Sequence, residues 1–535
     1  MNPLASTKCA GRLFMALAAM ASILLIASCG SSNSTPPINP VGFNNGSLSG
    51  TYVFSSQGAD FNGYSLALAG TVVANGTGGI TGGTIDIVTA DPSITRVSPV
   101  AQAITGGSYS VSSDGRGLAS LNSAYGTFIL DFVLTSTSHG LVTEFDANGT
   151  SSGTIDLQTA VTGVSQLAGP YAFSLAGSDS GGGPFATAGA FNLNSSGSII
   201  GGGGVEDFND NGAVINEPLS GAVTLGSGTG PGAIPLTTSS FPNATFDFYP
   251  IDATHWKLIE TDYTYGYLAG DVFSATQSTV GTMVFTMAGG TSTTSVANGG
   301  LMTYNANTVT GSEDVNTDGT VLTQVGFTGT VGAPGLVGGR VVVTLSDFVP
   351  ATQWVVYPYN GGLLMLETDS SAVTAGAAFA QSATSFTASG GYGLNLSGVN
   401  GNGPVGYIAQ FDASSATSSP NLTGVLDDNE SAATAGNLSL SATYTPDSPA
   451  TGRGLITAPT TGSLGTSLEA LNLEYYVVDS STVLFIDIDS TSVDAGQLGV
   501  GTFEAQSAPG GGAAVHSHMA IVHPAVRPHG AWRRK

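Results

Sequence analysis

The chain has 535 residues, of which 9% are charged, and its 36 acidic and 11 basic side chains give a formal net charge of −25. A surface of this charge repels nucleic acids and anionic lipid headgroups, so we expect no nucleic-acid partner. With 77 glycines and few lysines, the composition also argues against a helical protein.

The N-terminal segment has the organisation of a secretory signal. A basic region precedes an apolar run at residues 13–26, which is shorter than the roughly 20 residues of a membrane span. The run ends in Ile-Ala-Ser-Cys, which resembles the lipobox of bacterial lipoproteins. The resemblance implies removal of residues 1–28, lipidation of Cys29 and anchoring in the cell envelope, in the outer membrane if the cell has two membranes. The alternative is an ordinary signal peptide with an incidental cysteine.

The segment after the signal is predicted to be a flexible tether. Residues 29–47 are rich in Ser, Asn and Pro, which cannot build a core. Because Cys9 and Cys29 are the two cysteines of the sequence, we expect the processed chain to contain no disulfide.

Four repeats follow the tether. Their openings align as LSGTYVF, LAGPYAF, TVGTMVF and ASGGYGL, and their closings end in Gln158, Gln277, Gln381 and Gln506. The pattern predicts four domains at residues 48–160, 167–278, 279–383 and 388–507. Residues 508–535 contain histidines and end in a basic cluster, and we expect them to be a disordered tail.

Each repeat is predicted to be a small all-β domain of about 110 residues. Short apolar segments alternate with Gly, Asn and Asp, which indicates roughly seven or eight antiparallel strands in a barrel or a sandwich. The L-x-G-x-Y opening, followed by an alternating strand, resembles the up-and-down barrels of the avidin and lipocalin type in its rhythm. This resemblance favours four tandem barrels over sandwiches.

Two stretches match the first half of a calcium-binding loop: GVEDFNDNGA at residues 204–213 and GSEDVNTDGT at residues 311–320. The candidate ligands are Asp207, Asn209 and Asn211 in the first and Asp314, Asn316 and Asp318 in the second. Alternating oxygens suit Ca²⁺, and the following Gly permits the sharp turn. The position of the closing Glu of an EF-hand is occupied by Pro218 or Val325. We therefore favour β-turns, with calcium as the alternative.

An apolar strand near the end of each repeat finishes in two acids. The pairs are Glu144 and Asp146, Glu260 and Asp262, Glu367 and Asp369, and Asp487 and Asp489. Residues i and i+2 of a strand share a face, so each pair could hold a cation or act as the carboxyl pair of a glycosidase. The favoured alternative is that the acids cap nearby backbone N–H groups. His139 and His255 precede two of these strands and are predicted to be hairpin-loop residues.

The signal, the tether and the repeats together resemble Gly/Ser/Thr-rich repeat lipoproteins of unassigned function. We expect a non-enzymatic protein, held at the membrane through Cys29, that presents an acidic array of β domains for adhesion to, or structural contact with, a surface glycan or an envelope protein. The alternative is a glycan- or small-ligand-binding protein that uses barrel cavities or repeat junctions and that calcium could stabilise. An acid-pair glycosidase is the third hypothesis.

Overall fold

A computed structural model describes residues 42–93, 100–276, 280–347, 351–387, 389–414, 421–458, 471–491 and 496–509. The predicted signal peptide, Cys29 and the tail from residue 510 lie outside these ranges. The described residues are all-β, apart from two short 3₁₀ turns at Asn45–Ser47 and Val164–Leu167. Among them, no helix has the length and apolar character needed to cross a membrane.

The strands fall into four consecutive groups, named barrels 1 to 4. Barrel 1 contains β1 (Ser49–Asp60), β2 (Ser65–Asn75), β3 (Gly79–Thr89), β4 (Gln102–Ala103), β5 (Gly106–Val111), β6 (Arg116–Ser123), β7 (Gly126–Leu134), β8 (His139–Glu144) and β9 (Gly149–Leu157). Barrel 2 contains β10 (Gly169–Asp179), β11 (Pro184–Leu193), β12 (Ile199–Asn209), β13 (Ala213–Pro218), β14 (Ser220–Gly221), β15 (Gly232–Thr237), β16 (Ala244–Pro250), β17 (His255–Glu260) and β18 (Gly266–Ser274).

The second half of the chain repeats this arrangement. Barrel 3 contains β19 (Gly281–Gly290), β20 (Ser295–Tyr304), β21 (Thr308–Thr317), β22 (Thr320–Val331), β23 (Val341–Leu345), β24 (Gln353–Tyr359), β25 (Gly362–Glu367) and β26 (Val373–Ala380). Barrel 4 contains β27 (Ser389–Val399), β28 (Pro404–Ser414), β29 (Asn421–Glu430), β30 (Ala433–Pro446), β31 (Arg453–Ala458), β32 (Leu471–Val477), β33 (Thr482–Ile488) and β34 (Leu498–Ala505).

All four groups are antiparallel and barrel-like, which confirms the predicted fold class. Barrels 3 and 4 are closed, each through pairing of its first and last strands. In barrel 1, β1 pairs with β9 and β3 pairs with both β2 and β5. In barrel 2, the two end strands of the sheet, β13 and β14, are separated only by Leu219, whose N–H donates to Gly204. Each repeat is thus an up-and-down sheet that returns on itself.

The barrel interiors are filled by side chains. The first strand of each repeat points one side chain of its opening motif into the core, namely Tyr52, Tyr171, Met283 and Tyr392. Aromatic rings pack behind it, as in the contact of Tyr171 with Trp256 at 4.4 Å between ring centroids. Phe285 and Trp354 fill barrel 3, and Phe411 and Phe503 fill barrel 4. These interiors are packed cores.

The barrels belong to one compact unit and contact each other in a closed circuit. Strands β1–β3 of barrel 1 pack on β16–β18 of barrel 2. In the same way, β10–β12 of barrel 2 pack on β24–β26 of barrel 3, and β19–β21 of barrel 3 pack on β32–β34 of barrel 4. Strands β27 and β28 of barrel 4 then pack on β7–β9 of barrel 1. The four contacts are head-to-tail, and the fourth closes the ring. We call them junctions 1/2, 2/3, 3/4 and 4/1.

Junction strands are buried on both faces, and this explains their continuous apolar sequences. In β8, Val142 faces the core of barrel 1, whereas Leu141 packs on Ile408 of barrel 4. All six residues of β8, β17 and β25 are buried. The last residues of the predicted tether also pack on barrel 1, because Phe43 lies in its core with 3% exposure.

Candidate functional site: the junctions between the barrels

Junction 2/3 is built around the carboxylate of Asp207 on β12. Arg340 of barrel 3 donates from Nε and Nη2 to its two oxygens, both at 2.6 Å, and the hydroxyl of Tyr357 donates to Oδ2. The N–H of Asn216 donates to Oδ1 at 2.6 Å. Because Asp207 is fully buried, this bidentate pair supplies the charge compensation that burial requires.

Junction 3/4 repeats the arrangement around Asp314 on β21. Arg453 of barrel 4 donates from Nε at 2.8 Å and from Nη2 at 2.7 Å, and the Tyr476 hydroxyl donates at 2.6 Å. Arg453 also contacts Asp447 and Glu474, both at 3.1 Å. Burial raises the pKa of Glu474 to about 8. One guanidinium therefore serves several carboxyl groups of this junction.

Junction 1/2 has a carboxyl pair in place of the arginine. Asp86 on β3 accepts the hydroxyl of Tyr249 at 2.5 Å and lies beside Asp247, and both of these partners are on β16. Burial and, after it, the nearby Asp247 carboxyl raise the pKa of Asp86 to about 8. Burial also raises the pKa of Asp247, to about 6. The pair is compatible with burial when it holds a proton.

Junction 4/1 has both an arginine–aspartate contact and a carboxyl pair. Asp427 on β29 contacts Nη1 of Arg116 at 3.5 Å and lies beside Asp131 on β7. Burial, followed by the charge of Asp427, raises the pKa of Asp131 well above its usual value. Arg116 is shared with Asp114, its neighbour in barrel 1. The arginine–aspartate salt bridge of this junction is therefore longer and less complete than those of junctions 2/3 and 3/4.

An asparagine two residues after the aspartate supports three of the junctions. Its side-chain amide donates to backbone carbonyls at the end of the acidic strand in the next barrel. The contacts are Asn209 to Glu367, Asp369 and Ala372, Asn316 to Asp487, Asp489 and Gln497, and Asn429 to Glu144 and Gly149, all between 2.6 and 3.2 Å. Barrel 1 has Val88 at this position, within the apolar cluster of junction 1/2.

In three repeats, the glutamine that closes the repeat donates to a backbone carbonyl of the next barrel. The observed contacts are Gln158 to Pro250 at 2.8 Å, Gln381 to Val477 at 3.0 Å and Gln506 to Leu134 at 2.8 Å. Gln277 lies outside the described residues. The contact of Gln506 joins the last barrel of the chain to the first, in the same way that Gln158 and Gln381 join repeats 1 and 3 to their successors.

The six candidate calcium ligands are divided among different tasks. Asp207, Asn209, Asp314 and Asn316 lie in strands and bind the next barrel, as described above. Asn211 and Asp318 lie in the following turns at positive φ, and Asp318 accepts the N–H of Ser295 at 3.1 Å. No group of three or more His, Cys, Asp or Glu side chains placed to hold a metal occurs among the described residues. Calcium binding at these positions stays a prediction.

The packing of junction 3/4 explains why a glycine follows Asp318. Gly319 has φ +81°, and a Cβ there would lie 2.7 Å from the backbone nitrogen of Thr491 in barrel 4. A side chain would thus meet both backbone strain and a backbone atom of the neighbouring barrel. The glycine at position 319 is therefore required by the close approach of two barrels.

The second acid of each pair caps a backbone N–H group, as the favoured interpretation predicted, whereas Glu144 and Glu367 accept serine or threonine hydroxyls. The second acid of each pair accepts the N–H of a residue at the start of the adjacent strand: Asp146 from Ile129, Asp262 from Thr245, Asp369 from Gln353 and Asp489 from Asn472. The first acid shares its face with core residues and is buried. Burial raises the pKa of Glu144 and Glu260 to about 8 and that of Glu367 to about 7.

The two histidines are not loop residues, so that prediction is wrong. His139 and His255 are the first residues of β8 and β17, and each contacts an aspartate of the adjacent strand at 2.6 Å. His139 also contacts Glu504 of barrel 4 at 3.1 Å. Burial lowers the pKa of His139, but Glu504 and Asp156 raise it overall, to about 10. His139 is therefore a cation of junction 4/1.

A groove of 540 Å³ lies beside junction 2/3. Its walls are formed by Phe191, Asn192 and two glycines of barrel 2, and by the segment 334–339 of barrel 3. Leu336 of this segment is fully exposed. The lining contains no ionisable side chain, which distinguishes the groove from the acidic surface of the chain.

No family model and no curated protein matches the sequence. Among solved structures, the chain is similar to a double mutant of the vaccine antigen transferrin binding protein B from Haemophilus parasuis. The match has 9% sequence identity and a TM-score of 0.18, and it covers 89% of this chain and 97% of that chain. At this TM-score it supports no inference about shared function.

Proposed function

We propose that the chain is a non-enzymatic, lipid-anchored protein of the cell envelope, and that its four barrels act as one rigid scaffold for adhesion or structural contact. The observation that carries this proposal is the closure of the ring, in which Asn429 and Gln506 of barrel 4 bind barrel 1. A closed ring holds the four barrels in fixed positions relative to one another. The membrane anchor rests on Cys29 and the signal-like segment before it.

The internal chemistry supports a scaffold. The carboxylates of Asp207 and Asp314 are bound by arginines of the next barrel, and the paired acids accept backbone N–H groups. Aromatic side chains fill the barrel interiors. These carboxyl groups are thus used to stabilise the ring. The net charge of −25 favours neutral or cationic contact surfaces, such as neutral glycans or basic patches of envelope proteins.

Two measurements test the proposal. First, the wild-type chain should fractionate with membranes, and Cys29→Ala should release it into the soluble fraction. Second, Cys29→Ala protein should bind isolated cell envelopes saturably, and the further change of Asn429→Leu with Gln506→Leu should weaken this binding by opening the ring. A wild-type chain found in the soluble fraction would refute the anchor. Equal binding by the closed and opened rings would refute the rigid scaffold.

A second candidate is binding of a neutral glycan or small ligand in the groove beside junction 2/3. The uncharged lining and the volume of 540 Å³ favour it, because ligand sites are typically concavities of roughly 300–1,000 Å³. Glycan binding to Cys29→Ala protein that is lost in Asn192→Ala, with an unchanged melting temperature, would support this function. Retention of binding in that variant would place the ligand elsewhere.

A further inference from the structure

A lysine and an aspartate are buried together on adjacent strands of barrel 2. Lys257 on β17 is 0% exposed, and its Nζ lies 2.7 Å from Oδ1 of Asp271 on β18. The two residues are direct cross-strand partners in the pairing of β17 with β18. Nε2 of His255 lies 2.6 Å from the same oxygen of Asp271. Ammonium, carboxyl and imidazole groups therefore meet at one atom, away from solvent.

The other three barrels have no charged pair at the cross-strand position equivalent to Lys257 and Asp271. Burying two charges costs several kcal/mol per ion in general, and a well-packed apolar pair of similar volume is often as stable. The other barrels are consistent with this energetic argument, because they have a leucine opposite a threonine or an alanine at the equivalent positions. The corresponding cross-strand pairs are Leu141 with Thr154, Leu364 with Ala377, and Leu484 with Thr502.

We propose that Lys257 and Asp271 condense to form an intramolecular isopeptide bond. The ammonium of Lys257 first passes a proton to the imidazole of His255, which leaves a neutral amine. Nζ then attacks Cγ of Asp271, so that a Nζ–Cγ bond forms and the Cγ–Oδ1 bond breaks. Oδ1 leaves as water with one proton from His255 and one from the attacking nitrogen. The charged pair becomes one neutral amide and one water, and nothing is oxidised or reduced.

Geometry and burial both favour this reaction. Well-oriented intramolecular partners reach effective molarities on the order of 10⁵–10⁸ M, and the strand pairing holds the nitrogen and the carboxyl together. The condensation removes two charges from a buried position and releases the water. His255 is oriented by its stack on Phe273, with ring centroids 4.3 Å apart and planes 23° apart. The product joins β17 to β18 covalently, where barrel 2 packs on barrel 1.

Tryptic digestion of the denatured full chain tests the bond directly. Lys257 is the only trypsin site between Arg116 and Arg340. An acylated lysine is not cleaved, so the bond predicts a single peptide of residues 117–340, lighter than its sequence mass by one water, about 18 Da. Separate peptides 117–257 and 258–340 at their full sequence masses would overturn the proposal.

Three variants distinguish condensation from a missed cleavage. Lys257→Arg keeps the charge and the trypsin site but has no amine to condense, and it should give the two separate peptides. Lys257→Leu with Asp271→Ala copies the pair of barrel 3 and should give peptide 117–340 at its full sequence mass. His255→Gln should lower the condensed fraction in freshly purified protein by tenfold or more. A condensed fraction that is unchanged in His255→Gln would overturn the relay role of this histidine.

Discussion

Removal of Arg453 should destabilise barrels 3 and 4 through an uncompensated charge at junction 3/4. In Arg453→Met, Asp314 stays buried at 1% exposure without its bidentate partner. Loss of one partner of a buried ion pair costs about 3–5 kcal/mol. The Tyr476 hydroxyl and the Gln324 N–H continue to donate to Asp314, at 2.6 and 2.8 Å. We therefore expect the lower end of the range, a loss of about 3 kcal/mol in the free energy of unfolding.

Urea unfolding followed by tryptophan fluorescence measures this loss. Trp354 in barrel 3 is buried at 3% exposure and reports on one side of the junction. Arg116→Met is the matched control, because Arg116 contacts Asp427 across junction 4/1 at a single distance of 3.5 Å. Because this pair is longer and somewhat more exposed, we expect a smaller loss in the free energy of unfolding than in Arg453→Met.

A second change identifies the cause of the loss. Adding Asp314→Asn to Arg453→Met removes the stranded charge but keeps an acceptor for the Tyr476 hydroxyl. The double variant should therefore recover about 2 kcal/mol relative to Arg453→Met. If Arg453→Met costs no more than Arg116→Met, or if the double variant recovers nothing, the buried charge is not what junction 3/4 depends on.

Three further predictions concern protons, calcium and ring closure. The pKa of Asp86 is raised to about 8 and that of Asp247 to about 6, so the folded state holds protons that the unfolded state has released. Stability should therefore fall as the pH rises from about 4 to about 8. Asp86→Asn should flatten this slope in urea titrations across that range. Because the carboxylates of Asp207 and Asp314 are occupied, melting curves in EDTA and in millimolar calcium should superimpose, and a calcium-specific rise of several degrees would contradict this assignment. Gln506→Ala should increase hydrogen exchange at the barrel 1 strand that contains Leu134, without a similar increase in barrel 3.

The architecture of single barrels could be predicted from the sequence, but the junctions could not. Alternating short strands and the repeated tyrosine openings depend on local patterning, which a single sequence displays. The junctions depend on contacts between residues more than 100 positions apart, such as Asp207 with Arg340. The sequence does offer one signal: Arg116 and Arg453 begin β6 and β31, and Arg340 directly precedes β23, and each of these strands is the fourth from the end of its barrel. In a chain with so few basic residues, this recurrence indicates a shared structural task.

The calcium-like stretches show that one sequence pattern is compatible with two structural roles. Asp and Asn at alternating positions before Gly suit an oxygen-ligated cation, but the same alternation places Asp and Asn on one face of a strand. In β21, that face meets barrel 4, where Asp314 accepts from a guanidinium and Asn316 donates to carbonyls. The sequence pattern is the same whether the carboxylate binds a guanidinium group or a calcium ion. Only the position of the neighbouring barrel distinguishes them.

Ring closure also accounts for the number of repeats. Each barrel presents one face with its first strands and a complementary face with its last strands, and such head-to-tail contacts form open filaments unless the rotation closes. In an open chain of these barrels, the side-chain amide of Asn429 in barrel 4 would lose its hydrogen bond to barrel 1. At the other end, Val133 and Leu141 of barrel 1 would lose their contact with Ile408 and become exposed. In the ring, barrel 4 covers barrel 1 with Ile408 and the same asparagine and glutamine contacts used elsewhere. Closure therefore removes both adhesive ends within one chain, and the surfaces left for partners are the loops and outer strands.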